Sequence, residues 1–325
     1  MMKISVIIPA YNAHKTIQKC LEGVLNQKIN NEYEVIVVDD GSSDGTVKTV
    51  SKFPVRLIKQ KHQGPAKARN LGAKKSKGNI IIFTDSDCIP PENWLKELTK
   101  PFTDSEIVGV SGTYKTKNKE KILARFEGYQ IEERHEKMKM MDKIDFVGTF
   151  NCAYRKNIFF KYGGFNTKFK TSSGEDPDLS FKIYKGGYKI IFQPTAFVYH
   201  YHVDSLTKYL KQKFWRAYWR ILLYSRHRDK IMGDSYTSKS LLSQVLFTGF
   251  FVLFLVLSLF NQIFIFGTLL FLSIFFLSNL GSLIFLWKKE KILFLFAIPI
   301  LFLRNLACIF GVLYGVLRFR KILND

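Results

Sequence analysis

Acidic side chains gather where short apolar runs give way to turns. Asp39 and Asp40 follow residues 34–38, Asp85 and Asp87 follow residues 80–83, and Glu175, Asp176 and Asp178 follow a glycine at 174. Asp85 and Asp87 stand two residues apart past an extended run, so their carboxylates present oxygens to one region. A hard cation such as Mg²⁺ or Mn²⁺ takes such oxygens and can neutralise charge that builds on a phosphorylated leaving group. Glu175, Asp176 and Asp178 suit the first turn of a helix, where acids complement the dipole, and a base fixed at a helix start is well positioned. Asp44 suits a turn or cap before Thr46.

These acids need elements to hold them. Residues 3–9 form a β-rich run, followed by a turn and an amphipathic stretch at 16–27, and the pattern recurs. Strands are expected at 34–38, 55–59 and 80–83, with helices at 46–52 and 64–77 between them. Continuous apolar strands alternating with helices predict an α/β fold with a mainly parallel sheet covered on both faces. A ligand crevice then lies at the carboxyl ends of the strands. Beyond Asp87 the reading predicts helices at 92–103, 119–141 and 176–185, and strands at 108–114, 146–154 and 189–199.

Composition changes sharply near residue 240. The 325-residue chain carries a net charge of +22, so an anionic partner is expected, and residues 240–318 are dominated by Leu, Ile, Phe and Val. Residues 240–260 and 263–287 are each long enough to cross the roughly 30 Å hydrocarbon core. Lys and Arg lie before the first span and at Lys288, Lys289 and Lys291 after the second, so both flanks are expected in the cytoplasm. The third apolar segment, 292–317, contains Arg304 and precedes Arg318, Arg320 and Lys321. It reads either as a third span or as an in-plane or re-entrant hairpin breaking near 299–305. Gly311 and Gly315 would permit close helix contact.

Between these regions lies a basic juxtamembrane segment, 205–239, in which residues 205–228 interleave aromatic and basic side chains. That pattern suits a helix lying in a membrane interface, and equally a packing helix with a solvated basic face. The expected domains are therefore 1–204, 205–239 and 240–325. Cys20, Cys88, Cys152 and Cys308 lie far apart, which indicates neither a disulfide framework nor a Cys-based zinc site. The N-terminal apolar run is too short for a signal peptide, so the first domain is expected to remain where it is made.

Four elements stand in one order: Ser-Val-Ile-Ile-Pro-Ala-Tyr-Asn at 5–12, Val-Val-Asp-Asp-Gly-Ser-Ser-Asp-Gly-Thr at 37–46, Gly-Pro-Ala-Lys-Ala-Arg-Asn at 64–70, and Asp-Ser-Asp at 85–87. Together they resemble family two of the glycosyltransferases over about residues 3–204. The resemblance implies a GT-A, Rossmann-like nucleotide-binding domain, a nucleotide-diphosphate sugar donor, a divalent cation and inversion at the anomeric carbon. It implies that Asp40 bonds the donor's base, with Pro9 and Tyr11 lining the nucleoside pocket and Arg69 beside the nucleotide. It implies Asp87 as the main metal ligand and Asp85 as a ribose or water-bridged partner. His200 matches a further ligand position, and its imidazole favours Mn²⁺ over Mg²⁺. The Gly-Glu-Asp element at 174–176 resembles the acceptor-side motif, with Asp176 as general base and Glu175 orienting the acceptor.

The resulting expectation is a multi-pass protein of the cell membrane that moves a sugar to a glycan or lipid-linked hydroxyl on the cytoplasmic face. Membrane lipids are expected partners and nucleic acid is not. A direct polyprenyl-phosphate glycosyltransferase is the nearer rival, but a phosphate oxygen is already ionised and needs no base. A non-catalytic basic binding protein is the distant rival. It would explain the charge at 205–228 but not carboxylates clustered at strand ends, which repel phosphates unless a metal intervenes.

Overall fold

The computed structural model describes residues 2–171, 173–237 and 239–323. Ser238 of the expected linker and the last two residues of the expected membrane region lie outside them. The chain divides into two compact units, one of residues 1–118 and 135–201 and one of residues 119–134 and 202–325. The division after residue 201 falls close to the expected boundary at 204, while residues 119–134 group with the second unit.

In the first unit, β1 (Ile4–Ala10) is buried along its whole length, as an apolar strand covered on both faces must be. It pairs in parallel with β2 (Tyr33–Asp39) and, on its other edge, with β4 (Ile80–Thr84), while β2 pairs in parallel with β3 (Arg56–Lys59). Three helices connect them: α1 (Ile17–Leu25), α2 (Thr46–Val50) and α3 (Pro65–Lys75). α1 buries Ile17, Cys20, Leu21 and Val24, the i, i+3, i+4, i+7 stripe of a core-facing helix. α3 lies so close to β1 that a Cβ on Gly72 would stand 2.4 Å from Ile7 Cγ2.

The remaining strands are β5 (Cys88–Ile89), β6 (Ile107–Thr116), β7 (Asn151–Arg155) and β8 (Lys189–His200). The sheet order is β3-β2-β1-β4-β7-β6-β8-β5. β7 runs antiparallel to both neighbours and β5 antiparallel to β8, so the sheet is mostly rather than wholly parallel. α4 (Trp94–Thr99), α5 (Ile122–Lys139), α6 (Lys156–Lys161) and α7 (Glu175–Lys185) follow in chain order. Sequence periodicity did not reveal β5 or α6.

The strand expected at 146–154 begins only at Asn151. Residues before it form a loop whose Phe150 ring stacks on Tyr114 with centroids 3.4 Å apart, so their apolar character serves loop packing. The buried Asn151 amide closes the arrangement. It donates to the Ala196 and Thr113 carbonyls at 2.9 and 3.0 Å and accepts from Trp94 Nε1 at 2.7 Å.

The second unit is helical: α8 (Leu206–Arg226), α9 (Lys239–Ser258), α10 (Ile265–Lys289) and α11 (Lys291–Leu323), joined by the first part of α5. Its core gathers Phe126, Tyr209, Phe275, Leu283, Leu286 and Leu293. Three stretches, Ser240–Ser258, Gln262–Lys289 and Lys291–Arg320, are long and apolar enough to cross a membrane. The third apolar segment is one continuous helix through Pro299, so the hairpin break considered near 299–305 does not occur. At the expected break, Arg304 and Asn305 are buried and tied to α9. Arg304 donates to Gln244 Oε1 at 2.7 Å and Asn305 to Thr248 Oγ1 at 2.9 Å.

Gly311 and Gly315 face α8. A Cβ there would stand 2.3 Å from the Phe214 carbonyl and 2.9 Å from the Tyr218 carbonyl. α8 buries Tyr209, Lys213, Ala217, Tyr218, Leu222 and Leu223, as a packing helix does. The Lys213 ammonium lies 2.8 Å from the buried Glu127 carboxylate. That ammonium, with Arg216 beyond it, holds Glu127 below the usual carboxylate range in spite of its burial.

Candidate active site

The first wall of the crevice comes from the turns after β1 and β2. Asp40 is buried, and both of its carboxylate oxygens are engaged within the chain. Oδ1 accepts from Gln60 Nε2 at 2.6 Å and the Gln63 amide at 2.9 Å; Oδ2 accepts from the Gly64 amide at 2.8 Å and lies 3.0 Å from His62 Nδ1. Asp40 thus fastens the loop 60–64, whose last residue adopts φ +92° and starts α3. The His62 ring, held against Asp40, stacks on Tyr11 with centroids 4.1 Å apart. Tyr11 is half exposed and lies two residues beyond Pro9 at the end of β1. Asp39 differs from Asp40. Its Oδ2 accepts from the Ser42 amide at 3.3 Å, but its buried Oδ1 has no hydrogen-bond partner among the described residues. A buried carboxylate oxygen without a donor is costly and calls for a ligand's N–H or a water. Asp44 accepts from the Thr46 amide at 2.9 Å, the turn-closing role expected of it.

Arg69 on α3 joins the two sides of the crevice. It is 1% exposed, and it donates from Nη2 to Asp85 Oδ1 at 2.7 Å and from Nη1 to Glu175 Oε1 at 2.9 Å. Asp85 follows β4 and Glu175 starts α7, so one guanidinium fixes the turn after β4 against the start of α7. Glu175 also accepts from the Ser173 amide at 2.9 Å through Oε2. Next to Arg69, Asn70 exchanges two hydrogen bonds with the Phe165 backbone, of 2.7 and 2.9 Å. These hold the turn at Gly163 and Gly164, both of positive φ.

Burial raises the pKa of Glu175, with the negative charge of Asp176 acting in the same direction and Arg69 opposing. Burial also raises Asp176, opposed by Arg69 and by backbone amides that include Thr149. The two carboxyl groups therefore hold protons more readily than free side chains do, which suits a base that must take one. Asp178 is fully buried and bonds Lys182 and Asn166, so it is committed to the helix.

The third cluster arises because β5 pairs with the end of β8, setting Cys88 opposite His200. His200 Nε2 comes within 3.3 Å of Asp87 Oδ2. Asp87, Cys88 and His200 offer ligand atoms that all lie within 4.8 Å of one another. Burial pushes the Cys88 thiol up, reinforced by Asp87 and Asp85, and its soft sulfur is a poor ligand for a hard cation beside the Asp87 oxygen. Asp85, expected beside Asp87, gives an oxygen to Arg69 instead, and His200 is the neighbour of Asp87.

The structure thus brings Asp85, Arg69, Glu175 and Asp176 into one network, Asp87 and His200 into a second, and Tyr11 and Asp40 into a third. Sequence reasoning missed the open oxygen of Asp39 and the stacking His62. Nothing in the sequence singles out His62. Asp39 could have been found, because it ends a strand in which the four residues before it are all apolar.

A family model for glycosyl transferase family 2 matches residues 5–163. The O-antigen chain rhamnosyltransferase RfbN of Salmonella typhimurium is 31% identical over 216 residues, 62% of this chain and 67% of that protein. Glycosyltransferase AglE of Haloferax volcanii is 32% identical over 198 residues, 58% of this chain. The chain spans 64% of AglE's length. It spans about half, 53%, of the probable glycosyltransferase YdaM of Bacillus subtilis. Among solved structures, the mannosyltransferase PcManGT of Pyrobaculum calidifontis, in complex with GDP-Man and Mn²⁺, superposes with a TM-score of 0.56 at 22% identity. The match covers 70% of this chain and 64% of that one, a likeness of fold.

Proposed function

The chain belongs to glycosyl transferase family 2, and on that premise we propose that it transfers a sugar from a nucleotide-diphosphate donor to an acceptor hydroxyl, with inversion at the anomeric carbon. The observation that carries this reading is the buried Arg69, which locks Asp85 of the donor side to Glu175 of the acceptor side. Such a link fixes the distance between a nucleotide site and a base, and fixed distance is most of what a transferase needs from its scaffold.

Tyr11 and His62 cover the face of the base, with Pro9 beside them. Asp39 accepts a base N–H through its open oxygen, and Asp40 acts on the base indirectly by holding the loop that carries His62. Asp85 orients the ribose from its bond to Arg69. Asp87 and His200 fit a divalent cation: two ligands at right angles, each about 2.1 Å from a metal, lie about 3 Å apart, and theirs stand 3.3 Å apart. When bound, such a cation supplies charge neutralisation for the departing diphosphate. Asp176 removes the proton of the acceptor hydroxyl as that oxygen attacks the anomeric carbon from the face opposite the leaving group. Glu175, held by Arg69 and the Ser173 amide, orients the acceptor.

α9 and α10 read as an out-and-back pair, which returns the turn at 289–291 to the side on which α9 begins. The lysines of that turn support a cytoplasmic location for this side. The acceptor is then a glycan or lipid-linked saccharide presented at the cytoplasmic membrane face.

Purified protein incubated with a panel of nucleotide-diphosphate sugars, Mn²⁺ and saccharide acceptors tests the proposal. One donor should be consumed with formation of a product of inverted configuration. Turnover of no donor, or a product of retained configuration, would overturn it.

A further inference from the structure

Outside the site just described, the second unit holds an open cavity of about 610 Å³ between the carboxyl half of α10 and the start of α11. That volume lies within the roughly 300–1,000 Å³ range of ligand sites. Its lining is apolar throughout, from Phe276, Leu277 and Leu280 along α10 to Trp287, with Phe294 and Ile298 from α11. The span from Phe276 to Trp287 corresponds to about 16 Å of helix rise, about half of the roughly 30 Å hydrocarbon core. It is the length of one leaflet, not of the bilayer.

The two ends of the groove differ. At the Trp287 end, the polar α5 runs beside α10. Glu133 accepts from Ser282 at 2.8 Å, Glu132 from Lys289 at 2.7 Å, and Glu290 in the turn accepts from Arg125 at 2.9 Å. Three acids are thereby committed, and Lys289 with them. Lys288 and Lys291 have no acidic partner among the described residues. The Lys291 ammonium sits over the Trp287 ring, 5.3 Å from its centroid, at the rim of the groove. An aromatic ring with adjoining lysines is the composition of a membrane–water interface. The mouth therefore lies in the headgroup layer and carries uncompensated positive charge, while Phe276 and Leu277 lie in hydrocarbon.

We propose that this groove seats the hydrocarbon chain of a phosphate-headed, single-chain lipid carrier, the lipid to which the saccharide acceptor is linked, with Lys288 and Lys291 binding its phosphate. The inference rests on the reading of the chain as a membrane-anchored transferase with a lipid-linked acceptor. The charged rim selects an anionic head. The single leaflet-long trough takes one chain, where a bulk phospholipid has two to place.

The test uses the full chain in nanodiscs and a polyprenyl phosphate bearing a photoreactive group in its chain. Irradiation should label peptides containing Leu280, Trp287 or Phe294. Unlabelled polyprenyl phosphate should compete, while a large excess of phosphatidylglycerol should not. Leu280→Trp, which fills the trough, should abolish labelling, and Leu269→Trp, exposed on the same helix outside it, should not. Lys288→Gln with Lys291→Gln should weaken labelling roughly ten-fold or more, as loss of charge-assisted contacts does. These lysines are exposed, so this variant remains readable if Leu280→Trp fails to fold. Labelling elsewhere, equal competition by phosphatidylglycerol, or indifference to the lysine pair would overturn the proposal. Labelling requires no donor. Labelling without any turnover would remove the transferase reading and keep the groove, whereas turnover on a soluble glycan without labelling would do the reverse.

Discussion

Replacing Arg69 with Met removes a buried cation from between two carboxylates while keeping much of its volume. Arg69 and Glu175 each have 1% of the side chain exposed, so water cannot take the place of the lost partner. Removing one member of a buried ion pair typically costs about 3–5 kcal/mol, because the other charge is left uncompensated. For a domain of this size each kcal/mol lowers Tm by about 2–4 °C, so a fall of roughly 10 °C is expected once both partners are charged. The sign of the pH dependence follows from Glu175, whose pKa is already raised by burial and by Asp176. An acid raised in the folded state binds more protons folded than unfolded, so it lowers stability as pH climbs above its unfolded value of about 4.3. In the parent Glu175 gives up its proton near pH 8, and without Arg69 only at higher pH, so the two proteins diverge above that value. The Tm deficit of Arg69→Met should therefore be smallest and flat between pH 5 and pH 7 and grow from pH 8 toward pH 10. Adding Glu175→Gln should recover most of the growth at pH 10. Thermal unfolding of the four proteins of this cycle, followed by tryptophan fluorescence in nanodiscs from pH 5 to pH 10, measures both effects. A deficit that is the same at pH 6 and pH 10, unrelieved by Glu175→Gln, would refute the account of Arg69 as the charge partner of Glu175.

Asp176→Asn keeps shape and hydrogen bonding but cannot take a proton, so kcat should fall about 10²-fold or more, with donor affinity by calorimetry unchanged. Asp87→Asn and His200→Ala should instead weaken Mn²⁺-dependent affinity for the nucleoside diphosphate, and EDTA should abolish turnover that Mn²⁺ or Mg²⁺ restores; full activity in chelator would remove the cation from the reaction. Gly72→Ala drives a methyl to 2.4 Å from Ile7 Cγ2, deep between α3 and β1. It should cost about 1–3 kcal/mol, as overpacking does, a loss read as a lower Tm with nucleotide contacts otherwise intact.

How far the fold was legible depended on how local its cause was. β1, β2 and β4 are mainly apolar runs bounded by turns, and their parallel pairing follows from the helices that must return the chain between them. β5 has two residues and no periodicity of its own; it exists because the end of β8 offers it hydrogen bonds. Residues 146–150 show the converse. Their apolar content looked like a strand but is used by Phe150 to cover Tyr114, and alternation alone does not distinguish the two uses. The third apolar helix was ambiguous because its outcome turns on what Arg304 meets. A lone arginine in an apolar run argues for a break, but Gln244 and Asn305 supply oxygens that let the helix continue.

The same distinction runs through the site. Motif spacing pointed Asp40, Arg69, Asp85, Asp87, Asp176 and His200 toward a crevice, since each except Arg69, which lies within α3, stands at or next to the end of an element. It did not determine which acid meets which partner. Asp85 and Asp87 are two residues apart and equivalent as letters, but Arg69 approaches one and His200 the other, each from an element distant in sequence. Asp39 and Asp40 are adjacent and equally acidic, yet the loop 60–64 donates to the carboxylate of Asp40 and not to that of Asp39, leaving one buried oxygen of Asp39 without a donor among the described residues. Alternation along a strand sends neighbouring side chains to opposite faces, so a pair of identical acids at a strand end divides into one that builds the loop and one whose oxygen stays open. Which is which depends on the side from which the loop returns, and that side is a property of the packed structure.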